Sequence, residues 1–425
     1  MKIIVIGGGF AGLKFVQELK NKDQVEVLLL DKVNYHQFQP LFYQVATAGL
    51  DASNISFPLR KVFHDCNNVK IRITNVSAID SDQNKVITDT GTYEYDILVI
   101  ATGAGTNFFG NANIASHAFP MKSTLEALQL KNHIINNFEQ ILQVHTIEER
   151  QRYLNFVIVG AGPTGVELSG ALAEMKTHIL PKDYPEIDFS KMTIHLLEGS
   201  GKTLAAMSEA SSKQSQQYLE QLGVTVMLNT VVKDYDGKTV LLNDGKTIES
   251  NVVIWAAGIK GNVPSGISPD LIVRGNRIKV DRYNRVIGST NIYAIGDIAY
   301  METPLYKSGH PQLANVAINQ GKNLGKNILE SLKKSTIKNL KEFEYSDKGS
   351  MATVGKAKAV VDIPKPKIHI GGWLAWIIWM SLHLMLILGV KNKFQIFINW
   401  FYKYFTNDQS LRLATKEDKQ PTTLL

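Results

Sequence analysis

Residues 2–19 read KIIVIGGGFAGLKFVQEL, a short apolar run that breaks into glycines and resumes as a helical pattern. Gly7 permits a tight bend, Gly9 lets backbone N–H groups approach a pyrophosphate, and Gly12 lets the helix pack on the strand. The helix N-terminus adds positive potential where phosphates would sit. Asp31, closing the run VEVLLLD, stands where an acid accepts hydrogen bonds from a ribose hydroxyl. The same order returns at residue 155 as NFVIVGAGPTGVELSGAL, with Gly160, Gly162 and Gly165 in the turn. Glu198 ends the strand after it, delayed by an insertion containing Pro181 and Pro185. Two dinucleotide sites follow. A carboxylate at 198 repels a 2′-phosphate, and no arginine lies nearby in sequence to receive one, so the second site is expected to take NADH rather than NADPH.

Outward from the two turns, strand-like runs at 25–30, 97–100, 193–197, 252–255 and 292–295 alternate with helical stretches such as 122–149 and 209–222. The expected fold class is α/β: two Rossmann-like doubly wound domains, the second inserted in the first, with a C-terminal membrane-anchoring helical tail. The expected boundaries are 1–112 and 276–345 for the FAD-binding domain, 113–275 for the NADH-binding domain and 346–425 for the tail. Polar, turn-rich segments at 105–113, 261–269 and 346–349 suggest these divisions. Two further strand ends, Ala101-Thr102-Gly103 and Gly296-Asp297, carry small residues that let backbone approach a flavin or its diphosphate, and Asp297 can bind a ribityl hydroxyl. They mark the first turn as the FAD site. Gly258, in WAAGIKG, repeats the device where the NADH unit would end.

The formal charge of +7 comes from scattered lysines, which argues against nucleic acid as a partner. Cys66 is the single cysteine, so paired-cysteine redox chemistry and cysteine-based metal sites are excluded. His36, His310 and His383 have no second ligand at metal-binding spacing, and no metal is assigned. The N-terminal apolar run enters a glycine turn at once, too short for a secretory segment, so the enzyme body is expected at the cytoplasmic face. Residues 371–390 form a charge-free apolar run, followed by FQIFINWFYKYF at 394–405. The run is just long enough to span a bilayer. The clustering of Trp373, Trp376 and Trp379, with Lys391, Lys393 and Lys403 to meet anionic head groups, favours a monotopic anchor over a span.

Taken with DKVNYHQFQPLFYQVATAGLD at 31–51, PQLANVAINQGKNLGKNI at 311–328 and DKGSMATVGKAKAV at 347–360, the chain resembles the two-dinucleotide-binding flavoproteins, and among them the type II NADH dehydrogenases. The resemblance implies a membrane-bound enzyme in which NADH passes a hydride to FAD N5 and a lipid quinone then takes two electrons, without proton pumping. It implies that Thr47 lies along the flavin and that Ala314 begins a helix aimed at the flavin's pyrimidine edge. It also implies that Glu167 is a carboxylate on the proton path, and that Asn315 and Gln320 stand at the quinone mouth. Family members usually carry AQxAxQQ there, whereas this chain has Asn315 and Asn319 and retains Gln320. The expected partners are membrane lipid and a lipid-soluble quinone, ubiquinone or menaquinone, with a homodimer as an option. Two other readings remain open at this point: a reductase of a small electron-carrier protein and a non-catalytic NADH-sensing flavoprotein.

Overall fold

The computed structural model describes residues 1–333, 339–409 and 411–414. Packing divides the chain into two compact units, one of residues 1–37, 56–105 and 259–346, the other of 38–55, 106–258 and 347–425. The boundaries expected from the sequence fall at 112/113 and 275/276, with the tail apart. Packing instead divides the chain at 105/106 and 258/259 and groups both the tail and residues 38–55 with the second unit.

The first unit is built on a parallel sheet in the spatial order 292–294, 97–100, 2–6, 26–31, 69–73. Strand Lys2–Ile6 takes the middle because Ile3, Ile4, Val5 and Ile6 are apolar toward both faces, as a covered parallel sheet demands. Helix Phe10–Leu19 lies against helix Ala314–Ser331 at a distance set by two glycines. A Cβ on Gly321 would run into the Ala11 carbonyl, and one on Gly325 would sit 2.7 Å from Glu18 Cβ. An antiparallel meander, Val76–Asp80, Lys85–Thr88 and Gly91–Glu94, completes this unit's core around Ile79, Val86 and Tyr95.

The second unit repeats the plan, with a parallel sheet in the order 119–120, 252–255, 155–159, 193–197, 224–227. The helical stretch expected at 122–149 is two helices, Thr124–Ile141 and Ile147–Leu154. Ser123 caps the first and Thr146 the second, each side chain accepting a backbone N–H three residues on. A threonine serves better as a cap than inside a helix, so the break falls before it.

Residues 350–371 form a three-stranded antiparallel sheet, Ser350–Gly355, Lys358–Pro364 and Lys367–Gly371, in the second unit. Its first strand packs on helix Pro163–His178 at Gly170, where any Cβ would overlap the Val354 carbonyl. The apolar run 371–390 is not one helix. Helix Gly372–Leu386 ends, Gly389 turns the chain at φ +79, and helix Val390–Thr406 begins. Fifteen helical residues reach about 22 Å, short of a bilayer's roughly 30 Å hydrocarbon core. Among the described residues no helix is long and apolar enough to cross a membrane.

Candidate functional site

In the first unit the glycines act as their spacing implies. Gly7 sits at φ +105, where a Cβ would run into the Ala101 carbonyl, and a Cβ on Gly12 would overlap the Gly7 carbonyl. The Cβ position of Gly9 faces open space, as does that of Gly103, which holds φ +65. Helices Phe10–Leu19 and Ala314–Ser331 both start without a side-chain cap, leaving N-terminal N–H groups that no capping side chain engages. Open backbone beside uncapped helix N-termini fits a diphosphate and an electron-rich ring edge, so these residues suit FAD.

Asp31 does more than its position implied. Its Oδ2 accepts the Gly8 N–H at 2.5 Å and its Oδ1 accepts the Val33 N–H at 2.9 Å, so the carboxylate shapes the turn. Burial raises its pKa and these N–H bonds oppose the rise. His36, buried and kept neutral by desolvation, bonds the Gly8 carbonyl through Nδ1 at 2.9 Å. Thr102 and Asn262 pin the second strand end: Thr102 Oγ1–H donates to the Asn262 carbonyl at 2.6 Å, and Asn262 Nδ2–H returns to the Thr102 carbonyl at 3.1 Å. Asp297 follows Gly296, which holds φ +78, and its carbonyl accepts from Gln312 Nε2 at 2.9 Å.

The second unit carries the same device. Gly160 holds φ +102 against Ala256, the Cβ position of Gly162 is open, and a Cβ on Gly165 would overlap the Gly160 carbonyl. Glu198 Oε2 accepts the Ala161 N–H at 2.7 Å and Oε1 the Ser200 N–H at 2.8 Å. Gly258 lies beside Phe109, whose ring would touch any Cβ there at 3.0 Å. Each acid at a strand end thus ties down the middle of its glycine turn, a bond that strand-end position alone does not announce.

Glu167, in the first turn of helix Pro163–His178, is 7% exposed and opens on a small cavity of about 50 Å³ in the second unit. Desolvation pushes its pKa up to about 8, against the Thr353 N–H at 3.4 Å and the Trp379 indole. A carboxyl so placed is largely protonated at neutral pH and able to give up a proton. The cavity is also lined by Tyr43 and Gln44 and by the tail residues Trp376, Trp379, Trp400, Lys403 and Tyr404. Trp400 Nε1–H donates to Gln44 Oε1 at 2.7 Å, and Gln44 Nε2–H donates to the Tyr43 hydroxyl at 2.8 Å.

Several of the expected site residues make further contacts within the protein. Gln320 is 1% exposed and its Oε1 accepts the Gly296 N–H at 2.7 Å, so it braces the Gly296-Asp297 turn. Asn315 is half-buried, and its carbonyl accepts from Asn319 Nδ2 at 2.7 Å. Thr47 belongs to the second unit and spends its hydroxyl on the Tyr43 carbonyl at 2.9 Å. Lys403 pairs with Glu174 at 2.9 Å at the cavity instead of meeting head groups, and Trp379 is buried while Trp373 is 56% exposed. His383 is buried, its ring stacked on Trp379 at 4.1 Å, and desolvation takes its pKa down to about 4. Tyr43 and Gln44, in the stretch FYQVA, were not singled out in the sequence, since nothing local pairs them with residues far along the chain.

Residues 1–321 match the pyridine nucleotide-disulphide oxidoreductase family and residues 348–407 match the NDH2 C-terminal domain. The chain is 35% identical to the type II NADH:quinone oxidoreductase Ndh of Mycobacterium tuberculosis, over 100% of this chain and 92% of that protein. It is 29% identical to the type II NADH:quinone oxidoreductase of Staphylococcus aureus, over 84% of this chain and 89% of that one. Among solved structures, NDH2 from Plasmodium falciparum in complex with NADH superposes with a TM-score of 0.86 at 21% identity, covering 96% of this chain and 99% of that one. At that identity the likeness speaks to the fold.

Proposed function

The chain belongs to the type II NADH:quinone oxidoreductases, within the pyridine nucleotide-disulphide oxidoreductase family, and from that premise we propose how its residues divide the work. It is a membrane-associated FAD enzyme that oxidises NADH and reduces a quinone. FAD, when bound, supplies the two-electron chemistry that links the two substrates. Gly7, Gly9, Gly12, Asp31, Ala101, Thr102, Gly103, Gly296, Asp297 and Ala314 hold it, with Gln320 positioning the Gly296 turn. Gly160, Gly162, Gly165, Glu198 and Gly258 hold NADH, and Glu198 repels a 2′-phosphate.

Glu167 supplies a proton for quinone reduction. The observation that carries this role is a buried, largely neutral carboxyl opening on a cavity that aromatic residues of the tail help to line. Helix Val390–Thr406 presents Phe394, Phe397, Phe401 and Phe405 outward along one face while Ile396 and Trp400 turn inward. That face enters one leaflet of the cytoplasmic side of the membrane, with Lys391 toward anionic head groups. No proton pumping is assigned. Asn315 remains a candidate contact for the quinone.

Anaerobic stopped-flow reduction by NADH and by NADPH, then reoxidation with ubiquinone and menaquinone analogues, tests donor and acceptor together. Faster reduction by NADPH overturns the role of Glu198, and wild-type reoxidation in Glu167→Gln overturns that of Glu167.

A further inference from the structure

We propose that Tyr43 is the relay through which Glu167 regains its proton from water in the cavity at the tail. The inference rests on the reading of Glu167 given above. Both residues line the same cavity, and the Glu167 charge acts on the Tyr43 phenol. A cavity of about 50 Å³ has room for a few water molecules, since one needs roughly 10–15 Å³.

The geometry around Tyr43 fixes what its hydroxyl can do. The Trp400 indole is only a donor, so the Gln44 atom it meets at 2.7 Å is the carbonyl oxygen, and the Gln44 NH₂ is what reaches Tyr43 at 2.8 Å. One lone pair of the phenol oxygen is thereby occupied. The O–H hydrogen cannot point at the Gln44 donor, and one lone pair is left to accept. A group with one proton to give and one lone pair free is what a water-linked relay requires. Thr47 Oγ1–H, bonded to the Tyr43 carbonyl at 2.9 Å, and the buried helix Phe42–Ala46 hold the ring in place.

The step moves protons alone. After Glu167 has given its proton toward the quinone, the Tyr43 O–H proton passes to a cavity water as that water gives a proton to the Glu167 carboxylate. In concert a hydronium in the cavity transfers a proton to the Tyr43 oxygen and becomes water. The net change is carboxylate plus hydronium to carboxyl plus water, with no phenolate left behind. The other charged groups in the cavity wall are Glu174, Lys403 and Lys356. Glu174 accepts from the Lys356 backbone N–H and pairs with Lys403 at 2.9 Å, while the Lys356 ammonium donates to Asn407 Oδ1 at 2.8 Å, so each charged group has its own partner.

The test is Tyr43→Phe in the full-length flavoprotein, followed by two readouts. The first is the infrared C=O band of the protonated Glu167 carboxyl, identified by its absence in Glu167→Gln and followed during transfer of the resting enzyme to D₂O. Exchange at Glu167 is expected to slow about 100-fold or more in Tyr43→Phe, in line with what a positioned proton-transfer group contributes. The second is the ratio of quinone-driven flavin reoxidation to NADH-driven reduction, expected to fall with a larger solvent isotope effect. A 3,5-difluorotyrosine at position 43 keeps shape and hydroxyl and is expected to restore both, which separates relay from folding. Wild-type exchange in Tyr43→Phe, or a fluorotyrosine form as slow as the Phe form, overturns the relay. A Glu167→Gln enzyme with undiminished reoxidation instead overturns the underlying reading.

Discussion

Replacing Glu167 with glutamine should make the protein more stable and less active, and the gain in stability should depend on pH in a defined way. The carboxyl ionises near 4.5 in an unfolded chain and at about 8 when folded, because burial disfavours the anion. A folded-state value above the unfolded one means that its contribution to stability is intact below pH 4.5 and is lost as pH rises to about 8. At about 1.4 kcal/mol per pH unit the total loss is about 5 kcal/mol, of which about 3 kcal/mol has gone by pH 7. The substituted glutamine would stay neutral throughout and could still accept the Thr353 N–H. The variant should therefore match the wild type near pH 4.5, exceed it by about 3–4 °C in Tm at pH 7, and hold a constant advantage above pH 8. Thermal melts of both proteins in detergent across this range measure the difference, with quinone reductase rates taken on the same samples. A Tm difference that ignores pH, or a glutamine variant less stable at pH 8, refutes the buried-acid argument.

Three further perturbations probe the nucleotide turns and the tail. Gln320→Leu leaves the buried Gly296 N–H without its acceptor at a cost of about 1–3 kcal/mol, and should lower FAD retention, read as the ratio of flavin to protein absorbance; normal flavin content with impaired quinone turnover would return Gln320 to the quinone mouth. Glu198→Ala frees the Ala161 and Ser200 N–H groups and should raise the NADH KM about tenfold or more while narrowing its advantage over NADPH, since about 1.4 kcal/mol is tenfold; an unchanged NADH to NADPH ratio by stopped flow speaks against it. Replacing Phe394, Phe397, Phe401 and Phe405 together by serine should release the enzyme from vesicles containing anionic lipid in a flotation assay, at about 1.5–3 kcal/mol per buried aromatic side chain; full retention would place the membrane contact elsewhere.

What could be read from the sequence was local. Strand, glycine turn, helix and strand-end acid occupy one continuous stretch, so Gly7 to Asp31 and Gly160 to Glu198 declared themselves by order and spacing. What escaped reading depends on pairings across long stretches of chain. Trp400 bonds Gln44, Lys403 bonds Glu174 and the Val354 carbonyl abuts Gly170, and no periodicity within either segment predicts these contacts. The motif resemblance points Gln320 toward a quinone, while the bond it makes to the Gly296 backbone N–H is one that a motif does not display. The apolar run 371–390 was long enough to suggest a span because composition does not reveal that Gly389 turns the chain at positive φ and begins a second helix.

The tail has two duties, and the structure assigns them to different faces of the same helices. Outward, Phe394, Phe397, Phe401 and Phe405 offer apolar surface that water disfavours, while inward Trp379, Trp400 and Lys403 close the cavity that desolvates Glu167. The raised pKa of Glu167 thus depends on the tail being docked, since its first cause is burial and part of that burial comes from tail residues. Exposing the carboxyl to water would return it toward its ordinary value and leave it ionised at neutral pH, unable to act as a proton donor. Truncation at residue 371 would therefore remove the acid chemistry along with the anchor, and substitution of the outward phenylalanines is the perturbation that separates them. Attachment to the membrane and readiness to protonate a quinone are two consequences of one packing arrangement.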